Sequence, residues 1–219
     1  MKGPASEELE AGFVLAGGKS SRMGRDKALA LFGGRSLIEI ALETLREAGV
    51  SSGIAGARSD LSGFAGVVKD AEADQGPLGG ICAAMGSTSA ERVVFLSVDL
   101  PLLPASLIGC MLNHGRITGQ AVTVASVNGF VQTFPAVLDR AVLPWLERRH
   151  QSGQRGCYAA FQAAAAALEE PVSVLPVEVL AQAGQAAHPM ALPATWWFLN
   201  VNSPADLERA ESIMRASES

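Results

Sequence analysis

Residues 12–27 read GFVLAGGKSSRMGRDK and join an apolar segment to a basic, glycine-rich loop, residues 17–27. The apolar run has the length of a buried strand, and the Gly17-Gly18 pair marks its carboxyl end. Glycines let a ligand approach the main chain closely, and successive backbone N–H groups form an anion-binding nest. Two of the four lysines of the chain fall in this loop, together with two arginines. The stretch therefore predicts a strand followed by a polyphosphate-binding loop.

Two familiar phosphate-binding fingerprints are absent from this loop. A Walker A loop requires Gly-Lys followed by Ser or Thr, whereas Gly24 is followed by Arg25, Asp26 and Lys27. The dinucleotide pattern, with glycines at its first, third and sixth positions, is missing as well. An ordinary solvated strand-to-helix turn is the plain alternative, but such turns run about 2–6 residues and this loop is about twice as long. The loop thus indicates a phosphate site of another kind.

Apolar runs of strand length alternate along the chain with segments of helical periodicity. This alternation predicts an α/β fold, in which helices cover both faces of a mostly parallel sheet and ligands bind outside the carboxyl ends of its strands. The Asn128-Gly129 pair between two apolar runs predicts a hairpin, and hence some antiparallel pairing. Ser36 and Glu39 predict a capping box at the start of one helix. Strands are predicted at 12–16, 53–56, 66–69, 93–98, 121–126, 131–138, 172–177 and 196–201, and helices at 36–47, 78–86, 104–113, 139–149, 156–168 and 204–216.

The composition is that of one domain of ordinary size. With 219 residues, 48% of them hydrophobic, the chain has enough apolar side chains for a substantial core. We expect a single domain over residues 1–219, with a flexible amino terminus over 1–10. Residues 179–195, rich in Ala, Gln and Pro and without periodicity, are expected to form a surface excursion. The expected oligomeric state is a monomer or a weak homo-oligomer.

The charge balance excludes several classes of partner. A net charge of −5 argues against a general nucleic-acid or membrane-surface binder, whose binding face would be basic. No apolar run reaches the roughly 18 residues of a membrane span, and the amino terminus lacks the apolar segment of a signal peptide. The three cysteines are widely spaced without a CxxC pair, which favours core thiols over disulfides or structural zinc. We therefore expect a cytoplasmic protein with no nucleic-acid or membrane partner.

Two aspartates follow predicted strands. Asp99 ends the run VVFLSVD, where Pro101 stops the strand from continuing as a hydrogen-bond donor, and Asp70 follows the strand at 66–69. Taken alone, a strand-end aspartate is either a turn former or a metal ligand. Mg²⁺ suits the second interpretation, because this hard ion takes one or two carboxylates and completes its shell with water and phosphate oxygens.

Four separated motifs span the chain in order. They read LAGGKSSRMGRDKA at residues 15–28, GPLGG at 76–80, FLSVDLP at 95–101 and FLNVNSP at 198–204. The first closely resembles the signature LAGG-x-S-x-RMG-x-DKA of the molybdenum cofactor guanylyltransferase family. The other three resemble that family's second motif, its metal-binding strand end and its closing segment. Relatives with cytidylyl or sugar-phosphate activity more often carry alanine in place of the first glycine, so the motif favours the guanylyl branch.

The resemblance implies a Rossmann-like, three-layer α/β/α nucleotidyltransferase fold and a definite reaction. GMP would pass from GTP to the phosphate of the molybdopterin cofactor, with Mg²⁺ as cofactor and pyrophosphate as the leaving group. The catalytic residues that it implies are Arg22, Lys27 and Asp99, with Asp99 also the metal ligand. The residues that it implies for nucleotide binding are Leu15, Ala16, Gly17, Gly18, Lys27, Asp70, Gly76, Pro77, Leu78, Gly79 and Asp99, and those for the phosphorylated pterin acceptor are Arg155, Asn200 and Asn202.

Asn200 and Asn202 alternate on a predicted strand and are therefore expected to point the same way. One interpretation is that the two amides bind the acceptor or support the phosphate loop. The other is that they hold the start of the last helix.

Several positions depart from the family pattern. Residues 54–58 read IAGAR, with no amide side chain to read a guanine edge where the family tends to place an asparagine. QTFP at 132–135 replaces the family's His-Pro pair, and Arg155 is followed by Gly156 rather than by a second arginine. The alternatives are a cytidylyltransferase or sugar-phosphate nucleotidyltransferase of the same fold, and a nucleotide-binding protein without turnover.

Overall fold

A mixed seven-stranded sheet lies at the centre of the computed structural model, which describes residues 9–17, 26–69 and 76–217. The strands are β1 (Glu10–Leu15), β2 (Leu31–Phe32), β3 (Arg35–Ser36), β4 (Ser51–Ala55), β5 (Val67–Val68), β6 (Arg92–Ser97), β7 (Val122–Val127), β8 (Phe130–Asp139) and β9 (Ser173–Pro176). The sheet order is β5-β4-β1-β6-β8-β7-β9, while β2 and β3 form a separate small hairpin. Within the described residues, β8 alone runs against its neighbours β6 and β7, so the predicted mostly parallel sheet is confirmed.

Helices cover both faces of the sheet. They are α1 (Leu37–Glu47), α2 (Pro77–Ser87), α3 (Ala105–Thr118), α4 (Leu143–Gln151), α5 (Cys157–Ala167), α6 (Val177–Gln182) and α7 (Pro204–Ser217). Successive strand residues face opposite sides, so Val14 belongs to an apolar cluster with residues of α1, α3, α6 and α7, whereas Phe13 belongs to one with residues of α2, α4 and α5. These two apolar clusters confirm the predicted three layers. Among the described helices, none has the length and apolar character that crossing a membrane requires.

Local signals specify several element boundaries. The capping box at α1 is confirmed, since the Ser36 backbone N–H donates to Glu39 Oε2 at 2.8 Å. The predicted hairpin between β7 and β8 is also confirmed, with positive φ at both turn residues, Asn128 (51°) and Gly129 (78°). The β2–β3 hairpin was not predicted, because strands of two residues are too short to show alternation.

The carboxyl ends of β1, β4, β5 and β6 meet at one edge of the sheet, which we call the carboxyl edge. Leu15 at the end of β1 pairs with Ala55 of β4 and Ser97 of β6, and Ala55 pairs in turn with Val68 of β5. The residues that follow these strands are therefore neighbours in space. Because β8 is antiparallel to β6, its first residues lie at the same edge.

The strand predicted at 196–201 is wrong. Trp196 ends a short 3₁₀ turn (Ala194–Trp196), and the Leu199 N–H donates back to the Trp196 carbonyl at 3.0 Å. Trp197 is buried, and its indole N–H donates to the Leu192 carbonyl at 2.9 Å. Aromatic residues favour strands on average, but packing of Trp197 into the core and local turn bonds prevail at this site.

The segment 179–195 is more ordered than a plain surface excursion. Its first residues continue α6, and Ser106 of α3 holds its middle, because the Ser106 hydroxyl donates to the Ala187 carbonyl at 2.7 Å. Leu180, Ala186 and Leu192 are buried and anchor an otherwise largely exposed stretch to the core. Single anchors six residues apart are too widely spaced to produce the repeated apolar pattern that predicts a helix or a strand.

Burial makes two thiols much weaker acids than an exposed cysteine. It raises the pKa of Cys82, on α2, to about 12, with a smaller contribution from the charge of Glu147. Burial likewise raises the pKa of Cys157, on α5, to about 12, with Cys82 as the second cause. Cys110 on α3 is half-buried, and burial raises its pKa as well. None of these three thiols is in a disulfide.

We expect Cys82 and Cys157 to resist alkylation in the folded protein. We also expect their ionisation to lower the stability of the fold only at high pH. The reactive thiolate is scarce near pH 8, so iodoacetamide should label Cys82 and Cys157 far more slowly in the folded protein than in urea. The unfolded thiols ionise first, so their contribution to stability is complete below about pH 9 and is lost between about pH 9 and pH 12. Mass-spectrometric labelling and thermal unfolding at several pH values test this. Equal labelling rates in the folded and unfolded chains would contradict it.

Candidate active site

Three side chains from distant parts of the chain meet at the carboxyl edge. The Lys27 ammonium donates to Asp99 Oδ2 at 2.7 Å and to Asn202 Oδ1 at 2.6 Å, across 72 and 175 positions of sequence. Lys27 and Asp99 are about equally shielded, with 14% and 16% of their side chains exposed. The structure thus brings together the two predicted catalytic residues of the described chain and one of the predicted acceptor residues. This group contains one cation, Lys27, and one anion, Asp99, and both side chains are partly exposed to solvent.

Hydrogen bonds with Ser97, with β1 and with the carboxyl-terminal segment hold Asp99 and its neighbour Val98 just after the end of β6. β6 stops at Ser97, whose hydroxyl donates to Asp99 Oδ1 at 2.5 Å. The Val98 N–H donates to the Leu15 carbonyl at 3.4 Å, and the Asp99 carbonyl accepts the Val201 N–H at 3.0 Å. The carboxylate position is therefore determined by β1 and by the carboxyl-terminal segment together.

Asn202 contacts both the start of α7 and the Lys27 ammonium. Its backbone N–H donates to Asp206 Oδ2 at 3.0 Å, and the Ser203 hydroxyl donates to the same oxygen at 2.8 Å, which fixes the start of α7. These bonds, the Ser203 hydroxyl first, lower the pKa of Asp206 below its ordinary value. The Asn202 side chain meanwhile contacts Lys27. Asn200 does not join this contact, because the segment is not a strand, and its amide donates to the Phe198 carbonyl at 3.5 Å.

A cavity of about 290 Å³ opens beside Asp99. The first residues of β8 form one wall, and Phe134 there packs edge-on against Phe161 of α5, with 6.3 Å between ring centres. Asn200 lies on another wall, so this predicted acceptor residue is at the site although it does not contact Lys27. The lining residues are Ser97, Asp99, Leu100, Gln132, Thr133, Phe134 and Asn200.

Glycines lie where three backbone segments meet beside the start of the glycine-rich loop. A Cβ on Gly56 would lie 3.6 Å from the Gly17 nitrogen, and one on Gly80 would lie 3.6 Å from the Gly56 nitrogen. Gly56 also has a φ of +129°, which side chains rarely adopt. The first turn of α2 therefore packs directly against the ends of β1 and β4. Gly76 precedes this helix with a φ of +79°, and Pro77 begins it.

Four other predicted nucleotide residues offer no exposed side chain to a ligand. Leu15, Ala16, Leu78 and Gly79 are buried, and the side chains of the first three belong to the apolar clusters. Arg155 is exposed ahead of α5, and no hydrogen bond or ion pair among the described residues joins it to Lys27 or Asp99. Gly18, Arg22 and Asp70, also predicted site residues, lie outside the described residues.

Arg58 is a site residue that the sequence interpretation missed. It follows β4, is only 7% exposed, and forms ion pairs with Asp26 at 2.5 Å and Asp60 at 2.7 Å. Its Nη1 donates to the Ala16 carbonyl at 3.3 Å. The hydrogen bond to Asp60, ahead of the charge of Asp26, raises the pKa of Arg58 above its ordinary value. Residues 54–58 lack the asparagine of the family pattern, and the sequence alone does not show which residues contact Arg58.

A lysine paired with a carboxylate at the carboxyl edge of an α/β sheet is an arrangement suited to enzymes that transfer phosphoryl groups. The family profile described as the MobA-like NTP transferase domain matches residues 12–172, which include most of β1, Lys27 and Asp99. The chain therefore belongs to the MobA-like NTP transferase family and is a nucleotidyltransferase.

Individual relatives agree with this assignment. The molybdenum cofactor guanylyltransferase of Xanthomonas euvesicatoria is 44% identical over 46% of this chain and 52% of its own length. The probable molybdenum cofactor guanylyltransferase of Carboxydothermus hydrogenoformans is 30% identical over 94% of this chain and 96% of its own. In fold, the chain is similar to molybdopterin-guanine dinucleotide biosynthesis protein A from Archaeoglobus fulgidus, with a TM-score of 0.74, 22% identity, and coverage of 94% of this chain and 99% of that one.

Proposed function

We propose that this nucleotidyltransferase transfers GMP from Mg·GTP to the terminal phosphate of the molybdenum cofactor's pterin and releases pyrophosphate. The observation that carries the proposal is the Lys27 ammonium, held between Asp99 and Asn202 at the carboxyl edge. The relatives named molybdenum cofactor guanylyltransferase support GTP as the donor. The acidic composition and the three unpaired thiols support the cytoplasm as the compartment.

The proposed reaction requires no nucleophilic side chain. An oxygen of the ionised acceptor phosphate forms a bond to the α-phosphorus of GTP, the bond from that phosphorus to the bridging β-phosphate oxygen breaks, and pyrophosphate leaves with the electron pair. Catalysis then consists of alignment and of charge stabilisation. Lys27 has three N–H donors, of which Asp99 and Asn202 engage two within the described residues. The third N–H is directed to a phosphate oxygen in this proposal.

Asp99 fits magnesium better than a softer metal. Its carboxylate and the Ser97 hydroxyl offer hard oxygen donors, and in the described part of the chain no three His, Cys, Asp or Glu side chains gather as a ready-made ligand set. One carboxylate suits Mg²⁺, which keeps water and takes phosphate oxygens for its remaining positions. When bound, Mg²⁺ supplies charge neutralisation at the phosphates. Asp99 would hold it, and the Lys27 N–H that Asp99 now accepts would turn, together with the third N–H, to the phosphate.

The cavity beside Asp99 is the proposed acceptor site. It adjoins the carboxylate, and its lining residues include aromatic Phe134, the amide residues Gln132 and Asn200, and Thr133. A flat heterocycle with polar edges suits such walls, since an aromatic face stacks and amides pair with ring nitrogens and oxygens. Arg155 stays a predicted acceptor residue.

Calorimetric titration with GTP, CTP and ATP, each with Mg²⁺ and with EDTA, tests the donor. We expect Mg·GTP to bind most tightly, and pyrophosphate and a pterin dinucleotide to form when molybdenum cofactor is added. Preference for CTP would identify a cytidylyltransferase, which the lack of an amide in residues 54–58 would explain. Binding of no triphosphate, with folding verified by circular dichroism, would refute the proposal.

A further inference from the structure

Arg58 joins the two ends of the glycine-rich loop. Ala16, whose carbonyl accepts from Arg58 Nη1, directly precedes the loop, and Asp26, whose carboxylate accepts from Arg58 Nη2, lies one residue before Lys27. We propose that Arg58 is a positioning residue that sets the backbone from which Lys27 reaches the transferred phosphate. The inference rests on the proposed function, because it assigns Arg58 a part in the same reaction.

The Asp26 carboxylate transmits this restraint to Lys27. Its Oδ2 accepts from Arg58 at 2.5 Å, and its Oδ1 accepts the Ala28 N–H at 2.9 Å. The residues on both sides of Lys27 are therefore tied to one carboxylate. The Lys27 carbonyl in turn accepts the Ala30 N–H at 3.1 Å. The backbone at Lys27 is thus fixed before any substrate binds, so less ordering is required when the ammonium engages phosphate.

Asp60 fixes the orientation of the guanidinium. Arg58 Nε donates to Asp60 Oδ1 at 2.9 Å and Nη2 donates to Asp60 Oδ2 at 2.7 Å, a bidentate arrangement with strong directional preference. The Asp60 side chain is 57% exposed, whereas that of Arg58 is only 9% exposed. Asp60 therefore binds Arg58 from the solvent side. Other N–H groups of the guanidinium donate to Ala16 and Asp26, at the two ends of the loop.

These contacts distinguish positioning from direct substrate binding. A guanidinium has five N–H donors. Asp60 takes one from Nε and one from Nη2, Asp26 takes the other from Nη2, and Ala16 takes one from Nη1. Contacts with the described residues leave one N–H of Nη1, so Arg58 lacks the open fork with which arginine usually binds a phosphate. In this proposal Arg58 acts on the reaction through Asp26 and Lys27.

A double-mutant cycle between Arg58 and Lys27 tests the inference. We expect Arg58→Met to lower kcat about tenfold while KM for GTP changes less than about threefold, because a misplaced donor costs more in the transition state than in binding. In a Lys27→Met background, Arg58→Met should lower kcat by less than about twofold, since the group through which it acts is already gone. A full tenfold loss in both backgrounds would overturn the inference.

Two further variants keep the result interpretable. Asp60→Asn weakens the bidentate contact that orients Arg58 but keeps Asp26 and the Ala16 carbonyl as acceptors, so kcat should fall by less than it does in Arg58→Met. If Arg58→Met does not fold, Asp26→Asn removes the charge but keeps the shape, and should still lower kcat about threefold or more; an unchanged kcat there would also overturn the inference. Wild-type protein that neither binds GTP nor forms product would instead mean that the proposed function itself is wrong.

Discussion

Replacing Lys27 with methionine should lower kcat by about 10²–10³-fold, the usual cost of removing a donor directed at developing charge. Methionine preserves most of the side-chain length and the apolar stem but removes the ammonium that contacts Asp99 at 2.7 Å and Asn202 at 2.6 Å. GTP binding should weaken less than turnover, because the triphosphate has other partners and the charge at the reacting phosphate is largest in the transition state. Pyrophosphate release under saturating Mg·GTP and acceptor measures kcat.

The control must remove a cation from an ion pair without touching the carboxyl edge. Arg116 on α3 pairs with Glu10 at 2.8 Å and is 55% exposed, so Arg116→Met is suitable and should leave kcat unchanged. Lys27→Met should fold, because Asp99 keeps the Ser97 hydroxyl and access to solvent. Activity within about tenfold of wild type would rule out Lys27 as the cation at the transferred phosphate.

The position of the site could be predicted because it follows from topology. Gly17 and Asp99 each come directly after an apolar strand, and parallel strands place their carboxyl ends at one edge. Local chemistry likewise determined the capping box at Ser36 and the turn at Asn128-Gly129. These features depend on residues that are neighbours in sequence or on a rule of sheet connection.

The partners of Lys27 and Arg58 could not be predicted in the same way. The contact between Lys27 and Asn202 crosses 175 positions and depends on a segment that resembles a strand but turns to bury Trp197. The contact between Arg58 and Asp26 joins two loops whose sequences show no periodicity. Side-chain pairing between loops follows from how helices pack on the sheet, and no local propensity encodes it.

Replacing Asp99 with asparagine should lower kcat by about 10²–10³-fold and change nucleotide binding in opposite directions with and without Mg²⁺. Asparagine still accepts a hydrogen bond from Lys27, but the anion that would hold the metal is lost. Mg·GTP should therefore bind more weakly. In EDTA, the variant should bind GTP at least as tightly as wild type does, because the carboxylate no longer repels the triphosphate or competes for the Lys27 ammonium.

Weaker GTP binding in Mg²⁺ but not in EDTA is the result expected of a metal ligand and not of a structural aspartate. Asp139 provides the matched comparison, since it pairs with Arg92 at 3.4 Å at the opposite end of β6 and is 25% exposed. Asp139→Asn should alter neither titration and should leave kcat near wild type. If Asp99→Asn instead weakens GTP binding equally in Mg²⁺ and in EDTA, the carboxylate acts by holding Lys27 and Ser97 in place. The metal would then have to bind through groups other than Asp99, and the reaction would depend on Asp99 only for the geometry of the cation.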